Sequence, residues 1–268
     1  MEYKVKYTPR NGFTKIASLG DGELKLSEFG MIVLDDKETF EANSGDFEVA
    51  LVILQGHCDV TGDGFSYTDL GRRTSVFDGK PFAVYIPRHR SYTVTARGHV
   101  EVAWADSPTD KDFQPFVVRP EEVRDATMSA GTACERVAYH IITDKHETNH
   151  FYIGEAFVED GKHASFPPHR HDFDNWPTEV DMEEIYFFRF DPKQGYGIQK
   201  IYSDDRSLDV TYTVEENDTT LIPRGYHPVS TIPNYRMYYL WVMAGKNYRA
   251  FKSVYDPAHA WIADTWKK

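Results

Sequence analysis

Short segments of alternating or continuous hydrophobic residues recur along the whole chain, and turn-forming residues separate them. The segments are rich in Val, Ile, Tyr and Phe, which are typical of half-buried β-strands. Long stretches with a hydrophobic period of 3.6 residues are scarce, so the pattern favours an all-β sandwich or barrel with few, short helices. The clearest predicted strands are residues 30–34, 47–54, 82–86, 100–104, 151–157, 184–190, 196–202 and 238–243.

A weak internal repeat indicates two lobes. Residues 85–90 (YIPRHR) resemble residues 221–227 (LIPRGYH), and each segment lies between two predicted strands. Duplication is the simplest explanation. We expect a first lobe at residues 1–120 and a second at residues 121–268, joined through a segment that contains several prolines. The first lobe has no His-x-His pair, so we expect it to be degenerate and to lack metal ligands.

The strongest chemical signal is the pair His169 and His171, which follows two prolines. On an extended strand, side chains two positions apart project from the same face, so both imidazoles can bind one ion. His227 lies between Gly225 and Pro228, where a tight turn would hold its ring in a defined position. Three histidines and one carboxylate, with positions left for water or substrate, are typical of a catalytic metal.

The carboxylate is less clearly defined than the histidines. Glu183 and Glu184 are adjacent on one predicted strand, so only one of them can face the imidazoles. We favour Glu184 because it shares a face with Tyr186 and Phe188. Glu183 and Glu179 remain open as alternatives.

A second histidine pattern, residues 146–150 (HETNH), matches the His-Glu-x-x-His motif of zinc proteases. That motif requires a helix, whereas this segment lies between two predicted strands and reads as their connection. We therefore do not expect a protease.

Composition narrows the function further. The chain has 268 residues and a net charge of -12, which argues against nucleic acid or an anionic membrane as the main partner. Cys58 and Cys134 form no Cys-x-x-Cys pair and are expected to be buried, reduced thiols. The first residues contain no apolar signal segment, and no window approaches the length of a membrane span. We expect a soluble cytoplasmic protein.

Seven sequence segments together resemble the 5-deoxy-glucuronate isomerase family of inositol catabolism, within the cupin superfamily. They are residues 166–172 (FPPHRHD), 183–186 (EEIY), 194–197 (QGYG), 202–207 (YSDDRS), 223–228 (PRGYHP), 238–245 (YYLWVMAG) and 256–261 (DPAHAW). The resemblance is specific over roughly residues 130 to 262 and looser before them. About a dozen residues separate His171 from Glu184, where three or four are usual in cupins.

The resemblance implies a bicupin of two jelly-roll-like β-sandwich or barrel lobes. It implies an aldose-ketose isomerase that converts 5-deoxy-D-glucuronate to 5-dehydro-2-deoxy-D-gluconate. The metal would be a divalent ion, zinc by preference and manganese as an alternative. Its ligands on the matching positions are His169, His171, Glu184 and His227. The partner is a small uronate-type sugar, and a homo-oligomer is possible.

Moving a carbonyl from C1 to C2 requires a proton to leave C2 and a proton to return to C1 through an enediol. Tyr186, Tyr239, Lys200 and Glu183 are candidates for this proton transfer, and we favour a tyrosine. Arg224 or Arg189 could bind the substrate carboxylate through two parallel hydrogen bonds.

Two other functions use the same fold. The same ligands can hold Fe(II) for dioxygenase chemistry, and a cupin can serve as a sugar-binding regulatory module. No basic helix-turn-helix pattern supports the regulator. An oxygenase would need oxygen for activity, whereas an isomerase would not.

Overall fold

The computed structural model describes residues 2–267, and its regular structure is almost entirely β. Within these residues there are 23 strands and two short 3-10 helices, which confirms the predicted all-β class. No helix in this part of the chain has the length and apolar content to cross a membrane.

The strands, in chain order, are β1 (Lys4–Lys6), β2 (Gly12–Ala17), β3 (Glu28–Leu34), β4 (Thr39–Asn43), β5 (Phe47–Gln55), β6 (Cys58–Gly62), β7 (Phe65–Leu70), β8 (Ala83–Ile86), β9 (Ser91–Ala96), β10 (Val100–Pro108), β11 (Phe116–Val118), β12 (Arg124–Met128), β13 (Arg136–Ile142), β14 (Phe151–Glu159), β15 (His163–Ala164), β16 (His169–Arg170), β17 (Met182–Asp191), β18 (Tyr196–Tyr202), β19 (Asp209–Glu215), β20 (Asp218–Ile222), β21 (Val229–Thr231), β22 (Arg236–Gly245) and β23 (Val254–Tyr255). The 3-10 helices are Asp21–Glu23 and Ala260–Lys267.

The first lobe consists of a six-stranded sheet, in the order β11-β8-β5-β10-β3-β2, and a four-stranded sheet, in the order β4-β9-β6-β7. Apolar side chains fill the space between the two sheets, among them Ile32, Leu51 and Val94. The indole N–H of Trp104 donates a hydrogen bond to the Tyr92 hydroxyl at 2.9 Å, so a polar group in this core is satisfied internally. Apolar packing and this internal hydrogen bond therefore hold the two sheets of the lobe together.

The second lobe has a seven-stranded sheet, in the order β1-β20-β17-β22-β14-β13-β12, opposite a four-stranded sheet, in the order β15-β21-β18-β19. Strands β16 and β23 pair separately beside them. Strand β1 comes from the chain's N-terminal end, yet it pairs with β20, with Lys4 opposite Thr220. The first residues of the chain thus complete the sheet of the second lobe.

The large sheets of the two lobes pack face to face through one apolar core. Phe29 from β3 meets Phe187 from β17, with ring centroids 5.6 Å apart. Strands β17 and β22 are buried on both faces, one against the first lobe and one inside the second, which explains why both read as nearly continuous hydrophobic runs.

A buried ion pair joins the lobes within this core. The Arg73 guanidinium donates two hydrogen bonds to the Glu155 carboxylate, at 2.6 and 3.0 Å. The Tyr238 hydroxyl donates a third hydrogen bond to the same carboxylate at 2.7 Å. The side chains of Arg73 and Glu155 are 2% and 0% exposed, so each charge depends on the other for compensation.

We predict that Arg73→Met lowers the free energy of unfolding by about 3–5 kcal/mol, because it leaves the Glu155 charge buried without a partner. Arg72→Met is the matched control, since the neighbouring Arg72 pairs with Asp69 in solvent, with side chains 68% and 53% exposed. It should change stability by less than about 0.5 kcal/mol. Urea denaturation of both variants checks the prediction, which fails if their losses are equal.

Candidate metal centre and its pocket

Strand β16 carries His169, and His171 follows directly after its last residue. It pairs with β23, with His169 opposite Tyr255, and the Asp256 N–H donates a hydrogen bond to the Pro168 carbonyl at 2.8 Å. His169 and His171 are both buried, with ring centroids 6.3 Å apart. The C-terminal segment of the chain therefore holds this short strand in place.

Glu184 on β17 reaches the same point from the seven-stranded sheet. Its Oε2 atom lies 3.3 Å from His171 Nε2 and 3.2 Å from His227 Nε2. The ligand atoms of these three buried residues all lie within 4.8 Å of one another. The His169 ring packs against the His227 ring, with centroids 4.9 Å apart, so the four predicted ligands are neighbours.

A tight turn delivers His227, as predicted. Gly225 has a φ of +91°, and a Cβ atom there would lie 2.5 Å from the Tyr202 carbonyl oxygen. Both facts require glycine at this position. The Gly225 N–H donates to Asp172 Oδ1 at 2.7 Å, and the Gly225 carbonyl accepts a hydrogen bond from His227 Nδ1 at 2.9 Å. The turn thus sets the orientation of the imidazole.

The hydrogen bonds of the histidines fit a bound cation. His171 Nδ1 donates to the Met182 carbonyl at 2.5 Å, just as His227 Nδ1 donates to Gly225. A proton on Nδ1 of each ring would leave an Nε2 lone pair directed toward Glu184 Oε2. His227 Nε2 is buried and makes no hydrogen bond within the described residues. A cation between these atoms would satisfy two lone pairs and one carboxylate, and nitrogen and oxygen donors suit zinc or manganese.

The neighbouring acids have other partners. Glu183 faces the first lobe, where its carboxylate accepts hydrogen bonds from the backbone N–H groups of Lys25, Leu26 and Ser27 at 2.7 to 2.9 Å, and from the Ser27 hydroxyl at 2.6 Å. Glu179 accepts from Arg170 Nε at 3.2 Å and from a backbone N–H. Of the three acids considered, Glu184 is the one within reach of the imidazoles.

A largely apolar pocket opens beside the histidines and Glu184. Its wall is formed by strands β13, β14, β17 and β22 of the large sheet and by the segment after β22. The lining residues are Met128, Arg136, Ala138, Ala156, Ser165, His169, His171, Met182, Glu184, Tyr186, Tyr239, Trp241, Met243, Ala250, Phe251, Lys252 and Ser253.

Both predicted tyrosines lie in this pocket. The Tyr186 and Tyr239 rings are 4.4 Å apart, and the Tyr186 hydroxyl lies 2.9 Å from Ser165 Oγ. Burial, followed by the charge of Glu184, raises the pKa of Tyr186 well above its usual value. Burial also raises the pKa of Tyr239 to about 12. Both hydroxyls are therefore protonated at neutral pH and can donate hydrogen bonds to a ligand.

Lys200 is a correction to the sequence prediction, because it does not line the pocket. It lies on β18 in the opposite sheet, where its ammonium pairs with Asp209 at 2.5 Å and both side chains are partly exposed. The candidate proton shuttles in the pocket are thus reduced to the tyrosines.

Arg189 and Arg224, predicted to bind a carboxylate, are also outside the pocket. Arg189 is five positions after Glu184 on the same strand, so it faces the first lobe and pairs with Glu101 at 2.5 Å. Arg224 pairs with Glu23 of the first lobe. Both arginines already have carboxylate partners and serve contacts between the lobes.

Sequence reasoning missed Arg136 and Ser165. Arg136 begins a strand whose alternate residues, Ala138 and His140, are also buried, so its inward orientation follows the strand period. No motif marks these residues, because they reach the pocket only through the pairing of strands distant in sequence.

The protease-like segment, residues 146–150, is a connection between β13 and β14, as predicted. His146 Nδ1 accepts a hydrogen bond from the Thr143 N–H at 3.0 Å, and His150 Nδ1 lies 2.7 Å from the Gly245 carbonyl oxygen. These histidines support loop geometry.

The family model described as the KduI/IolB family matches residues 7–262 of the chain. The chain belongs to the KduI/IolB family. A 5-deoxy-glucuronate isomerase of Geobacillus kaustophilus is 36% identical over 238 residues, covering 88% of this chain and 86% of that protein. A 5-deoxy-glucuronate isomerase of Bacillus subtilis is 34% identical, covering 91% of this chain and 90% of that protein. These relatives confirm the predicted family and the prediction of an isomerase.

Solved structures agree with this assignment. The crystal structure of an IolB-like protein from Salmonella typhimurium superposes with a TM-score of 0.92 at 30% identity, covering 98% of this chain and 100% of that one. Oxalate decarboxylase of Lactobacillus farciminis superposes with a TM-score of 0.66 at 11% identity, covering 98% of this chain and 90% of that one. The second likeness concerns the fold alone.

We predict that Glu184→Gln and Glu183→Gln, which are neighbouring changes of the same size, affect different properties: the first lowers metal affinity and the second lowers stability. Glu184→Gln removes the carboxylate of the candidate metal centre and should weaken metal binding about 10- to 100-fold with little loss of stability. Glu183→Gln weakens the contact with residues 25–27 and should lower the free energy of unfolding by about 1–3 kcal/mol while metal content is retained. Elemental analysis and urea denaturation measure both. Equal metal loss in the two variants would contradict the assignment.

Proposed function

We propose that this protein is a metal-dependent aldose-ketose isomerase that converts 5-deoxy-D-glucuronate to 5-dehydro-2-deoxy-D-gluconate in inositol catabolism. The observation that carries the proposal is the group of His171, Glu184 and His227 at the wall of a largely apolar pocket, in a chain whose relatives are 5-deoxy-glucuronate isomerases. We further propose that His169 is the fourth ligand and that the first lobe, residues 1–120, has a structural role.

The reaction moves a proton from C2 to C1 of the sugar and passes through an enediol whose oxygens gain negative charge. A divalent cation, zinc or manganese, would act as a Lewis acid toward these oxygens. The protein must hold the sugar chain, keep water away from the intermediate and provide a group for proton transfer. The apolar side chains of Met128, Met182 and Met243 support the exclusion of water, since they line much of the pocket.

Tyr186 is our candidate for the proton transfer, with Tyr239 beside it. The Tyr186 ring lies against His227, with centroids 5.9 Å apart, so its hydroxyl is close to the proposed metal ligands. Ser165 provides a second hydroxyl within hydrogen-bonding distance of Tyr186. In this arrangement the protonated Tyr186 hydroxyl would give its proton to O1 while a base takes the proton from C2, which forms the enediol. It would regain a proton from O2 as that base returns its proton to C1, with Ser165 as a partner for proton exchange.

The central test is proton NMR of 5-deoxy-glucuronate with the purified protein in heavy water. We expect the C1 aldehyde signal to disappear, a ketose to form and deuterium to enter at C1. Chelation should abolish the reaction, zinc or manganese should restore it, and exclusion of oxygen should have no effect. An unchanged substrate with metal-replete protein would contradict the proposal, and a requirement for oxygen would indicate a dioxygenase.

Tyr186→Phe removes the proposed donor and keeps the ring. We predict that it lowers kcat by about 10²- to 10⁴-fold with little change in KM or metal content, because proton transfer by a placed side chain contributes on that scale. Tyr239→Phe should have a smaller effect. Tyr67→Phe is the control, since that hydroxyl donates to the Pro115 carbonyl in the first lobe. Wild-type kcat in both pocket variants would exclude the tyrosines.

A further inference from the structure

Arg136 is a buried cation in the pocket that the reaction scheme above does not use. It is 8% exposed and begins β13, next to the edge strand β12, where it pairs with Met128. Its side chain lies on the inward face of β13, as does that of Ala138. Arg136, Ala138 and Met128 all line the pocket. The guanidinium is thus a charged group in a largely apolar wall.

Arg136 has no carboxylate partner among the described residues. Its Nη1 atom donates a hydrogen bond to the Cys134 carbonyl at 3.1 Å, which occupies one of five N–H donors. The other buried arginines differ, because Arg73 and Arg189 pair with carboxylates at 2.6 and 2.5 Å. A buried charge without a counter-ion is costly, so the pocket is suited to an anion that arrives from solution.

The position of Arg136 relative to the metal ligands suits a substrate that carries charge at one end. In the large sheet the strand order is β17-β22-β14-β13, with Glu184 on the first of these strands and Arg136 on the last. Between them the pocket is lined by Tyr239, Ala156 and Ala138, which are directly paired across neighbouring strands. The two alanines leave space above the sheet where larger side chains would fill it.

The Arg136 charge acts on the groups near the metal ligands. Burial raises the pKa of Tyr239 to about 12, and the Arg136 guanidinium is the main influence that opposes this rise. An anion bound to Arg136 would therefore lie in the same pocket as the reacting end of the sugar.

We propose that Arg136 binds the carboxylate of the uronate substrate and so fixes the sugar with its aldehyde end at His171, Glu184 and His227. This inference rests on the proposed function and replaces Arg189 and Arg224 as carboxylate-binding residues. A guanidinium can bind a carboxylate through two parallel hydrogen bonds, which orients the ligand as well as attracting it. The Trp241 indole N–H, buried without a partner in the described part of the chain, lines the same pocket as a further donor.

The test compares Arg136→Gln and Arg136→Lys with Arg124→Gln. Arg124 is an exposed residue on β12 outside the pocket lining, so its variant has the same charge change without loss of the proposed contact. Each protein is assayed with 5-deoxy-glucuronate and with the neutral analogue in which a hydroxymethyl group replaces the carboxylate. Metal content and thermal unfolding establish that each variant is folded and loaded.

We expect Arg136→Gln to lower kcat/KM for the acid by about 10²- to 10³-fold, mainly through KM, because a buried charged hydrogen-bond pair is broken. The preference of the wild type for the acid over the neutral analogue should collapse toward one. Arg136→Lys should be intermediate, since it keeps the charge and loses the two-point contact. Arg124→Gln should behave as the wild type. An undiminished preference for the acid in Arg136→Gln would overturn the inference.

Calorimetric titration with D-glucuronate gives a readout independent of turnover. We expect binding to the wild type and to Arg124→Gln, and binding at least about tenfold weaker to Arg136→Gln. If the wild type does not isomerise 5-deoxy-glucuronate but this difference in binding is found, the proposed function fails and the anion site stands. If the wild type is active but binds D-glucuronate no better than Arg136→Gln does, the proposed function stands and the anion site fails.

Discussion

Strand β17 carries two functions because its side chains alternate between two buried faces. On one face, Glu183 binds the N–H groups of residues 25–27 and Phe187 packs against Phe29 of the first lobe. On the other face, Glu184 meets the histidines and Tyr186 lines the pocket. A shift of one residue in the register of β17 would exchange the two faces. The docking of the lobes and the geometry of the candidate metal centre therefore depend on the same strand pairing.

The buried charges also differ between the contact of the two lobes and the pocket of the second lobe. Charged pairs that need no ligand lie at the contact between lobes, as with Arg73 and Glu155. The pocket of the second lobe instead contains a carboxylate among imidazoles and an arginine that has no carboxylate partner within residues 2–267. The carboxylate among the imidazoles lacks a positive partner and therefore suits a cation. The arginine lacks a negative partner and therefore suits an anionic sugar. The overall charge of -12 does not oppose this, because the local groups decide binding at short range.

The first lobe contributes packing to the second lobe through its large sheet. Its sheets enclose apolar side chains where the second lobe has its pocket, and Trp104 and Tyr92 satisfy each other. Its large sheet covers the outer face of β17 and β22, which would otherwise expose apolar side chains to water. The second lobe also depends on β1, a strand from the beginning of the chain. The position of this strand could not be predicted, because three residues carry too little hydrophobic pattern.

Local patterns were sufficient for the all-β class, for the proximity of His169 and His171, and for the turn that carries His227. Strand alternation, a two-residue spacing and a glycine before a histidine are properties of neighbouring residues, so they can be read along the chain. The carboxyl-binding arginine could not be chosen in this way, because Arg189, Arg224 and Arg136 look alike in sequence. Only the pairing of β17, β22, β14 and β13 decides which guanidinium enters the pocket and which finds a carboxylate on the other lobe. Such contacts join residues far apart in the chain, and their energies depend on burial and on partners that exist only after the sheets have packed.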